Sequence, residues 1–387
     1  MDSRFSSPSI IPAGSPLSSQ GKPRPFRKKR HTSKTRHMQI IRKYFTGSLL
    51  VTVAGLTLAA LVGWFYSGAL AGTLQATLIT AILALLEISI SFDNAVVNAT
   101  VLKEMNALWQ HRFLTWGMAI AVFGMRLVFP LLIVGMAADL SPWQALRLAA
   151  LEPDRYAAIM TGVHHQVAAF GGAFLLLVTL KYFFNAEKEQ HWIRHIEAPL
   201  ARLGRLESAE VGVTLALLMA VSNFLPDHHS LSFLLAGMAG TITFLLVEGI
   251  GMALAASEER MASAHRAGMG MFLYLEVLDA SFSFDGVIGA FALTNNLFII
   301  AIGLGIGAMF VRSLTILMVE RGTLDTFRYL EHGAFYAVGA LAVVMLLGVF
   351  LHIPEMVTGL IGAAFIGLSI RSSVQYRRQQ PLPAAAE

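Results

Sequence analysis

The chain has 387 residues, of which 55% are hydrophobic and 14% are charged, and its formal net charge is +5. Soluble domains average about 25% charged residues. The composition therefore excludes an ordinary soluble globule and predicts an all-α polytopic membrane protein. The chain has no cysteine, which excludes disulfide cross-links, thiolate metal sites and cysteine nucleophiles.

The N-terminal segment 1–45 differs in composition from the rest of the chain. Residues 1–21 are rich in Ser, Pro and Gly, which predicts disorder, and ten Lys or Arg residues lie between Lys22 and Lys43. A basic run can bind nucleic acid. Next to a first span, however, it is more typical of a cytoplasmic anchor on anionic lipid headgroups. We therefore expect lipid as its partner and no nucleic acid.

The first apolar run ends near Ala69-Leu70-Ala71, which has the small residues of a signal-peptide cleavage site. The polar leader before that run is more than 40 residues long, much longer than the n-region of a usual signal peptide. We expect an uncleaved first helix.

Ten segments are apolar enough for a transmembrane helix, which needs about 20 mostly apolar residues. They are residues 48–66, 73–102, 113–137, 163–184, 209–226, 231–255, 268–293, 296–320, 333–351 and 355–370. Lys and Arg concentrate in every second connection, which places both termini in the cytoplasm. The charged connection 185–208 is predicted to be an amphipathic helix along the cytoplasmic membrane surface. The transmembrane domain would cover 46–372, and 373–387 would be a C-terminal tail.

An acidic pattern occurs twice inside these spans. Glu87-Ile-Ser-Ile-Ser-Phe-Asp93-Asn94 in the second span returns 192 residues later as Asp279-Ala-Ser-Phe-Ser-Phe-Asp285-Gly286 in the seventh. A charge at membrane depth costs about 2.5–3.5 kcal/mol on insertion scales, so two such copies predict two halves of one binding site. Because the seventh span is five crossings after the second, an odd number, the two helices should run in opposite directions. This is an inverted repeat with a site near midplane, with repeat one at about 73–185 and repeat two at about 268–351.

Helical angles divide each copy into a polar stripe and an offset aspartate. Glu87, Ser91, Asn94 and Asn98 share one face of a regular helix, and so do Asp279, Ser283 and Gly286 in the second copy. Asp93 and Asp285 lie off these stripes. One solution is that the helices unwind near both aspartates, which frees carbonyl ligands inside a protein cavity. The other is that the offset aspartate faces a neighbouring helix and pairs with Arg126 or Arg312.

The repeated residues predict a site for a hard divalent cation. The candidate metal ligands are Glu87, Asp93, Asn94, Glu276, Asp279 and Asp285. Carboxylate, amide and carbonyl oxygens without thiolates suit Mg²⁺, Ca²⁺ or Mn²⁺. Crowded carboxylates repel unless a cation or protons neutralise them, so metal release should be linked to proton uptake. No resident cofactor is expected.

Other polar residues in the spans have simpler interpretations. Lone acids such as Glu248 and Glu320 often form hydrogen bonds between helices. For these two residues we give that structural role the same weight as a role as ligands. The pairs His164–His165 and His228–His229 are interpreted as interface residues rather than soft-metal ligands. For the repeated acids a purely structural role is less favoured, because acids at the same spacing would then have to occur twice by chance.

These motifs resemble the TerC family of integral membrane proteins, named for tellurium resistance. Glu87-x5-Asp93-Asn94 resembles the family's first acidic motif. Glu276-x2-Asp279-x2-Phe282-x2-Asp285, followed by Phe291-Ala-Leu-Thr294, resembles its second, and the spans with Arg126 and Arg312 fit more weakly. The resemblance covers about 73–370 and implies paired three-helix repeats, with some relatives tied to manganese export and metal-stress tolerance. Gly286 stands where Ser is usual and Ile288 where Pro is familiar, which indicates a side branch.

We expect a multi-pass exporter of a divalent cation in the cytoplasmic membrane, with Mn²⁺ as the first ion, coupled to protons by alternating access. Arg126 and Arg312 would form ion pairs or gate the site. We do not expect an enzyme: the Gly-x-Gly-Asp of intramembrane aspartyl proteases and a Gly-x-x-x-x-Gly-Lys phosphate loop are both absent. The alternative is a non-transporting membrane scaffold for metal or envelope stress, which recruits partners through the basic tail and the segment 185–208.

Overall fold

A computed structural model describes residues 41–117, 119–258, 267–351 and 353–379. Its regular secondary structure within these ranges is entirely helical, which confirms the predicted all-α class. In chain order the α-helices longer than one turn are α1 (Thr46–Ser67), α2 (Leu70–Ile90), α3 (Phe92–Glu104), α4 (Ala107–Arg112), α5 (Phe129–Ala137), α6 (Pro142–Leu151), α7 (Pro153–Gly162), α8 (His164–Phe183), α9 (Arg194–Leu203), α10 (Ala209–Ser222), α11 (Asp227–Glu258), α12 (Ala267–Ala290), α13 (Leu297–Glu320), α14 (Leu330–Leu347) and α15 (Glu355–Gln379).

Eight helices in the described ranges are long and apolar enough to cross a membrane, which makes the chain a multi-pass membrane protein. They coincide with eight of the ten predicted spans. The other two predicted spans are also helical. At 1.5 Å per residue, the 14 residues of α10 reach only about 21 Å, short of the roughly 30 Å hydrocarbon core. The 24 residues of α12 reach about 36 Å, but they include three acids.

Two of these spans depart from a simple helix. The third is continuous from Ala107 to Ala137, but it passes from α4 to α5 through two π-helical segments, Phe113–Gly117 and Ile120–Val128. The last, α15, continues to Gln379, beyond the predicted end at residue 370. Residues 1–40 of the predicted tail 1–45, and residues 380–387 of the predicted tail 373–387, lie outside the described residues. The rest of both tails is helical, since Ile41–Phe45 forms a π-helical turn before α1 and α15 includes residues 373–379.

Contacts between the helices follow the pattern that a two-fold axis between the predicted repeats would produce. The first motif helices, α2 and α3, pack on α13, and the second motif helix, α12, packs on the π-containing third span. In the same way α12 packs on α8, and α3 packs on α14. The axis would also exchange α8 with α14, and α3 with α12. The two helices of each of these pairs are in contact. The two motif helices therefore lie together at the centre of the bundle.

Candidate functional site

The first motif helix is interrupted at one residue, whereas the second is continuous. Ser91 has φ −88° and ψ 20° and separates α2 from α3, although its N–H still donates to the carbonyl of Glu87 at 2.9 Å. The interruption lies in the first copy, just before the Phe92-Asp93-Asn94 segment, but it is smaller than the predicted unwinding, because the N–H of Ala95 also still donates to the carbonyl of Ser91 at 3.2 Å. In the second copy α12 runs without interruption through Asp285 to Ala290. Ile288 keeps the N–H that a proline would lack, so nothing there forces a break.

Two small cavities flank the crossing of the motif helices. The first, of about 40 Å³, is lined on its polar side by Asn94, Asn98, Arg126, Glu276, Asp279 and Arg312. The second, of about 30 Å³, is lined on its polar side by Glu87, Ser91, Asp93, Asn94 and Thr358. A cavity volume of about 10–15 Å³ is enough for one water molecule, so each of the two cavities has room for an ion or a few waters. Asn94 is the polar side chain that both share.

The motif helices pass these cavities in opposite directions. Along the first copy, Glu87 lines the second cavity and Asn98 the first; along the second copy, Asp279 lines the first cavity and Gly286 the second. The register agrees with this order. Asn94 Nδ2 donates to Asp279 Oδ1 at 2.9 Å, while a side chain added at Gly286 would place its Cβ 3.4 Å from Glu87 Oε2. The antiparallel arrangement predicted from the span count is what the geometry shows for these two helices.

Asn94 connects carboxylates on its two sides. Its side-chain amide donates to Asp279, and its backbone N–H donates to Asp93 Oδ1 at 3.0 Å. All three residues are buried. A charge-assisted hydrogen bond of this kind fixes the position of a carboxylate better than a neutral one. Asn94 therefore sets the separation of Asp93 and Asp279, which lie in different cavities.

Glu87 forms the buried ion pair of this region, and it does so with Arg126. Arg126 Nη2 lies 2.5 Å from Glu87 Oε1, and the two side chains are 3% and 6% exposed. Arg126 also donates through Nη1 to the carbonyl of Ala121 at 2.6 Å, and Ser91 Oγ donates to Glu87 Oε1 at 3.1 Å. A buried carboxylate without such partners would be strongly disfavoured.

The predicted pairing of an arginine with the offset aspartate is not what the geometry shows for Asp93. Asp93 accepts the Asn94 N–H and faces α14 and α15, next to Ala337 and Thr358 in the second cavity. The stripe residue Glu87 takes the guanidinium instead. Arg126 and Ser91 both contact Oε1 of Glu87, whereas Oε2 faces Gly286 across the crossing.

Arg126 lies in a π-helical segment, Ile120–Val128. Pro130, four residues later, has no N–H to donate to the carbonyl of Arg126, which favours a departure from regular α-helix here. Single π-helical turns inside α-helices are frequent at functional sites. The segment turns the guanidinium into the bundle, where it contacts Glu87 and lines the first cavity.

The first cavity contains buried polar atoms without hydrogen-bond partners. They are both carboxylate oxygens of Glu276, Oδ2 of Asp279, Oδ1 of Asn94 and of Asn98, and Nε of Arg126 and of Arg312. Buried polar groups are almost always paired, so carboxylate oxygens left open around one cavity favour a site that takes up a cation, a proton or water. Arg312 lines this cavity together with the acids.

The acids do not form one shell of ligands in this conformation. Among the described residues, no three His, Asp or Glu side chains are arranged so that they could hold a metal ion. Glu276 and Asp279 line one cavity, and Glu87 and Asp93 the other. Asp285 lies in α12, and its side chain is outside the described residues.

Two lining residues carry no signal that sequence reasoning could have used. A Cβ at Gly117 would lie 2.5 Å from Glu276 Oε1, so this glycine makes room for the carboxylate. Thr358 is buried beside Asp93 in the second cavity. One is a single glycine and the other a single threonine in an apolar span. Only the packing of α15 and of the third span brings them to the site.

The other titratable residues of the spans lie away from both cavities. Glu320 pairs with Lys43 and accepts from the Tyr44 hydroxyl at 2.9 Å, and Glu248 pairs with Lys181. These contacts join separate helices, as the structural interpretation predicted. Of the paired histidines, the rings of His165 and His229 pack together, with their centroids 4.2 Å apart.

Gly307 provides a test of how closely α13 packs on the site. A Cβ at this position would lie 2.4 Å from Cβ and Cγ of Glu87 and 3.0 Å from the carbonyl of Ala84. Gly307→Ala should therefore push α13 away from the Glu87–Arg126 pair and destabilise the protein by about 1–3 kcal/mol, the usual cost of overpacking. Thermal unfolding in detergent measures the change. Gly212→Ala, where nothing lies within 4 Å, is the matched control. Equal melting temperatures for the two variants would contradict the close packing.

Comparison with known proteins gives a family match. The sequence model of a family described as "Protein of unknown function (DUF475)" matches residues 92–380, the larger part of the chain. The match contains Asp93, Asn94 and the whole second acidic motif, and it begins after Glu87. No curated protein and no solved structure matches the chain. The resemblance to the TerC family stays a prediction.

Proposed function

Because the chain belongs to the DUF475 family, whose function is unknown, its activity has to be inferred from its own site, and we propose that it is a transporter that exports a divalent metal cation in exchange for protons. Mn²⁺ is the first ion to test. The ion is the cargo of the site and not a resident cofactor. The resemblance of both acidic motifs to those of the TerC family, some of whose members are tied to manganese export, supports this proposal.

One observation carries the proposal. Four buried carboxylates, those of Glu87, Asp93, Glu276 and Asp279, lie around Asn94 where two antiparallel motif helices cross. Ionisable groups inside a membrane are costly and mark ion or proton pathways by default. Oxygen donors without thiolates favour a hard divalent cation. An inverted pair of helices with its site at the crossing is the usual plan of a secondary transporter.

In the proposed cycle Arg126 and Arg312 supply positive charge next to the carboxylates when the site holds no metal ion. Arg126 neutralises Glu87, and Arg312 lies with Glu276 and Asp279 around the first cavity. A divalent cation that enters from the cytoplasm would compete with these guanidinium groups for the carboxylates. It would draw the acids of the two cavities together around Asn94, because carboxylates converge on a cation and repel without one.

Release on the opposite side would leave the carboxylates without their counter-charge, so protons would bind and reset the site. In this cycle α3 would rotate relative to α2 at the one-residue interruption, Ser91. Since Asp93 and Asn94 follow that interruption directly, a small rotation would move both ligands at once. We place the protein in the cytoplasmic membrane with both termini in the cytoplasm, as the charge of the connections predicts.

Transport by the full-length protein in proteoliposomes tests the proposal. We expect Mn²⁺ to quench a metal-sensitive dye inside the vesicles faster than in protein-free vesicles, and an entrapped pH dye to report proton movement in the opposite direction. A parallel series with Mg²⁺ and Ca²⁺ identifies the preferred ion. If folded protein moves none of these ions above the protein-free rate, the proposal is wrong. A variant that lacks residues 1–40 should transport normally, whereas a scaffold that acts through its basic tail would lose its function.

A further inference from the structure

The linker helix α9 is fixed to the bundle by one buried carboxylate. Glu197 is 1% exposed, and its Oε1 accepts from the backbone N–H groups of Trp192 and Ile193 at 3.1 and 3.0 Å. Its Oε2 lies 3.6 Å from Lys188 Nζ and 3.5 Å from His332 Nε2. Burial lowers the pKa of the Lys188 ammonium to about 8, so it is still a cation at neutral pH. Glu197 thereby holds the linker before α9 in place, and His332 connects it to α14, because its Nε2 also lies 2.9 Å from the carbonyl oxygen of Gln190.

One side of α9 exposes apolar side chains. Ile196 is 49% exposed and Leu203 is 42% exposed. Residues seven apart lie on the same side of a helix, so these two side chains form one line. Leu206, just beyond the helix, is 62% exposed and extends it. A helix with one face anchored and the other apolar is typical of an interfacial position at a membrane.

Exposed basic side chains lie at both ends of this apolar line. Arg194 starts α9, and Arg202 and Arg205 lie at its end and just beyond it; all three are exposed. The acids of the same stretch are Glu197, which is buried, and Glu207 at its end. The exposed side chains of this stretch therefore carry a net positive charge beside apolar side chains. This combination matches an anionic lipid surface, where each Lys or Arg adds to binding.

The position of α9 in the fold places this face at the level of a membrane surface. α8 ends at Phe183, and the anchor of α9 reaches His332, two residues after the start of α14. Both helices are membrane spans, so a helix held at their ends lies where they leave the bilayer. We propose that α9 and the following turn, residues 194–206, form a binding surface for anionic phospholipid headgroups, with Ile196 and Leu203 inserted among the acyl chains and the three arginines on phosphates.

A fluorescent label on α9 tests this inference in the full-length protein. The chain has no cysteine, so Ile196→Cys provides a single labelling position for an environment-sensitive dye. The labelled protein is placed in nanodiscs of phosphatidylcholine alone or mixed with phosphatidylglycerol. We expect the anionic lipid to shift the emission to shorter wavelength and to reduce quenching by acrylamide. High salt should reverse both effects, because it screens phosphate contacts.

Substitutions separate the role of charge from simple burial. Arg194→Gln, Arg202→Gln and Arg205→Gln combined should abolish the response to phosphatidylglycerol. Arg147→Gln, an exposed arginine in α6, should leave it unchanged. An unchanged response in the triple variant, or equal emission in both lipids for the parent protein, would overturn the inference. The readout uses no metal, so it is independent of whether the protein exports a cation.

Discussion

Asp279→Asn is expected to abolish divalent-cation transport and to leave the fold intact. The carboxylate holds Asn94 through Oδ1 and has a second oxygen, Oδ2, without a hydrogen-bond partner beside the first cavity. An amide of the same shape removes the negative charge that a divalent cation needs. The loss should be on the order of 10–100-fold or more, the range that follows even from removal of outer-shell partners of a metal. Initial Mn²⁺ uptake rates in proteoliposomes measure it.

Asp139→Asn is the matched control. Asp139 is exposed in a loop and has a φ of 54°, a conformation that asparagine tolerates well, so this change should alter neither transport nor stability. Asp93→Asn probes the second cavity, and it should reduce transport as well if both cavities belong to one pathway. Normal uptake in the Asp279→Asn protein would remove Asp279 from the set of ligands.

Arg126→Gln is expected to destabilise the protein by about 3–5 kcal/mol, because it leaves the Glu87 carboxylate buried and unpaired. Both side chains of this pair are more than nine-tenths buried. Adding Glu87→Gln to the Arg126→Gln protein removes the unpaired carboxylate, so this double variant should recover much of the lost stability. The midpoint of thermal unfolding in detergent, measured for both single variants and the double variant, gives the coupling energy between the two residues.

Arg147→Gln again serves as the control for the loss of an arginine from an exposed helix. A double variant less stable than Arg126→Gln alone would show that the Glu87 carboxylate is stabilised by a group other than Arg126, such as the Ser91 hydroxyl. Transport adds a second measurement. If Arg126 supplies the counter-charge of the site without an ion, the double variant should hold a metal less selectively against protons, and its uptake should depend less on pH.

The sequence predicted the central pair of helices but not the partners of each acid. The repeat of Glu87 and Asp93 as Asp279 and Asp285, five spans apart, predicted two antiparallel helices at one site. The contact between Asn94 and Asp279 has that geometry. Helical angles also placed Asn98 with the stripe, and it lines the first cavity. Each of these predictions depends only on the period of a helix and on the count of spans.

The prediction for the arginines was incomplete because side-chain partners depend on the facing helix. Arg126 was expected to contact an offset aspartate if the helices stayed regular, yet it pairs with Glu87. The two acids that face the crossing find different partners. Asp279 accepts a hydrogen bond from Asn94 of the facing helix, whereas Glu87 faces Gly286 there and pairs with Arg126 of the third span. A single sequence gives no information about which two residues will face each other until the register of the helices is known.

The sequence by itself therefore determined the class of the protein, the positions of its helices and the pair of motifs that form the site. These follow from apolar runs, from the charge of the connections and from the cost of burying a carboxylate. Only the tertiary structure decided that the acids divide between two cavities with Asn94 between them, that Ser91 interrupts one motif helix, and that Glu197 fixes α9 to the bundle. The first and the last of these features depend on residues that are far apart in the chain, such as Asn94 and Asp279, which are 185 residues apart. The partner of such a residue is known only when the helices are packed together.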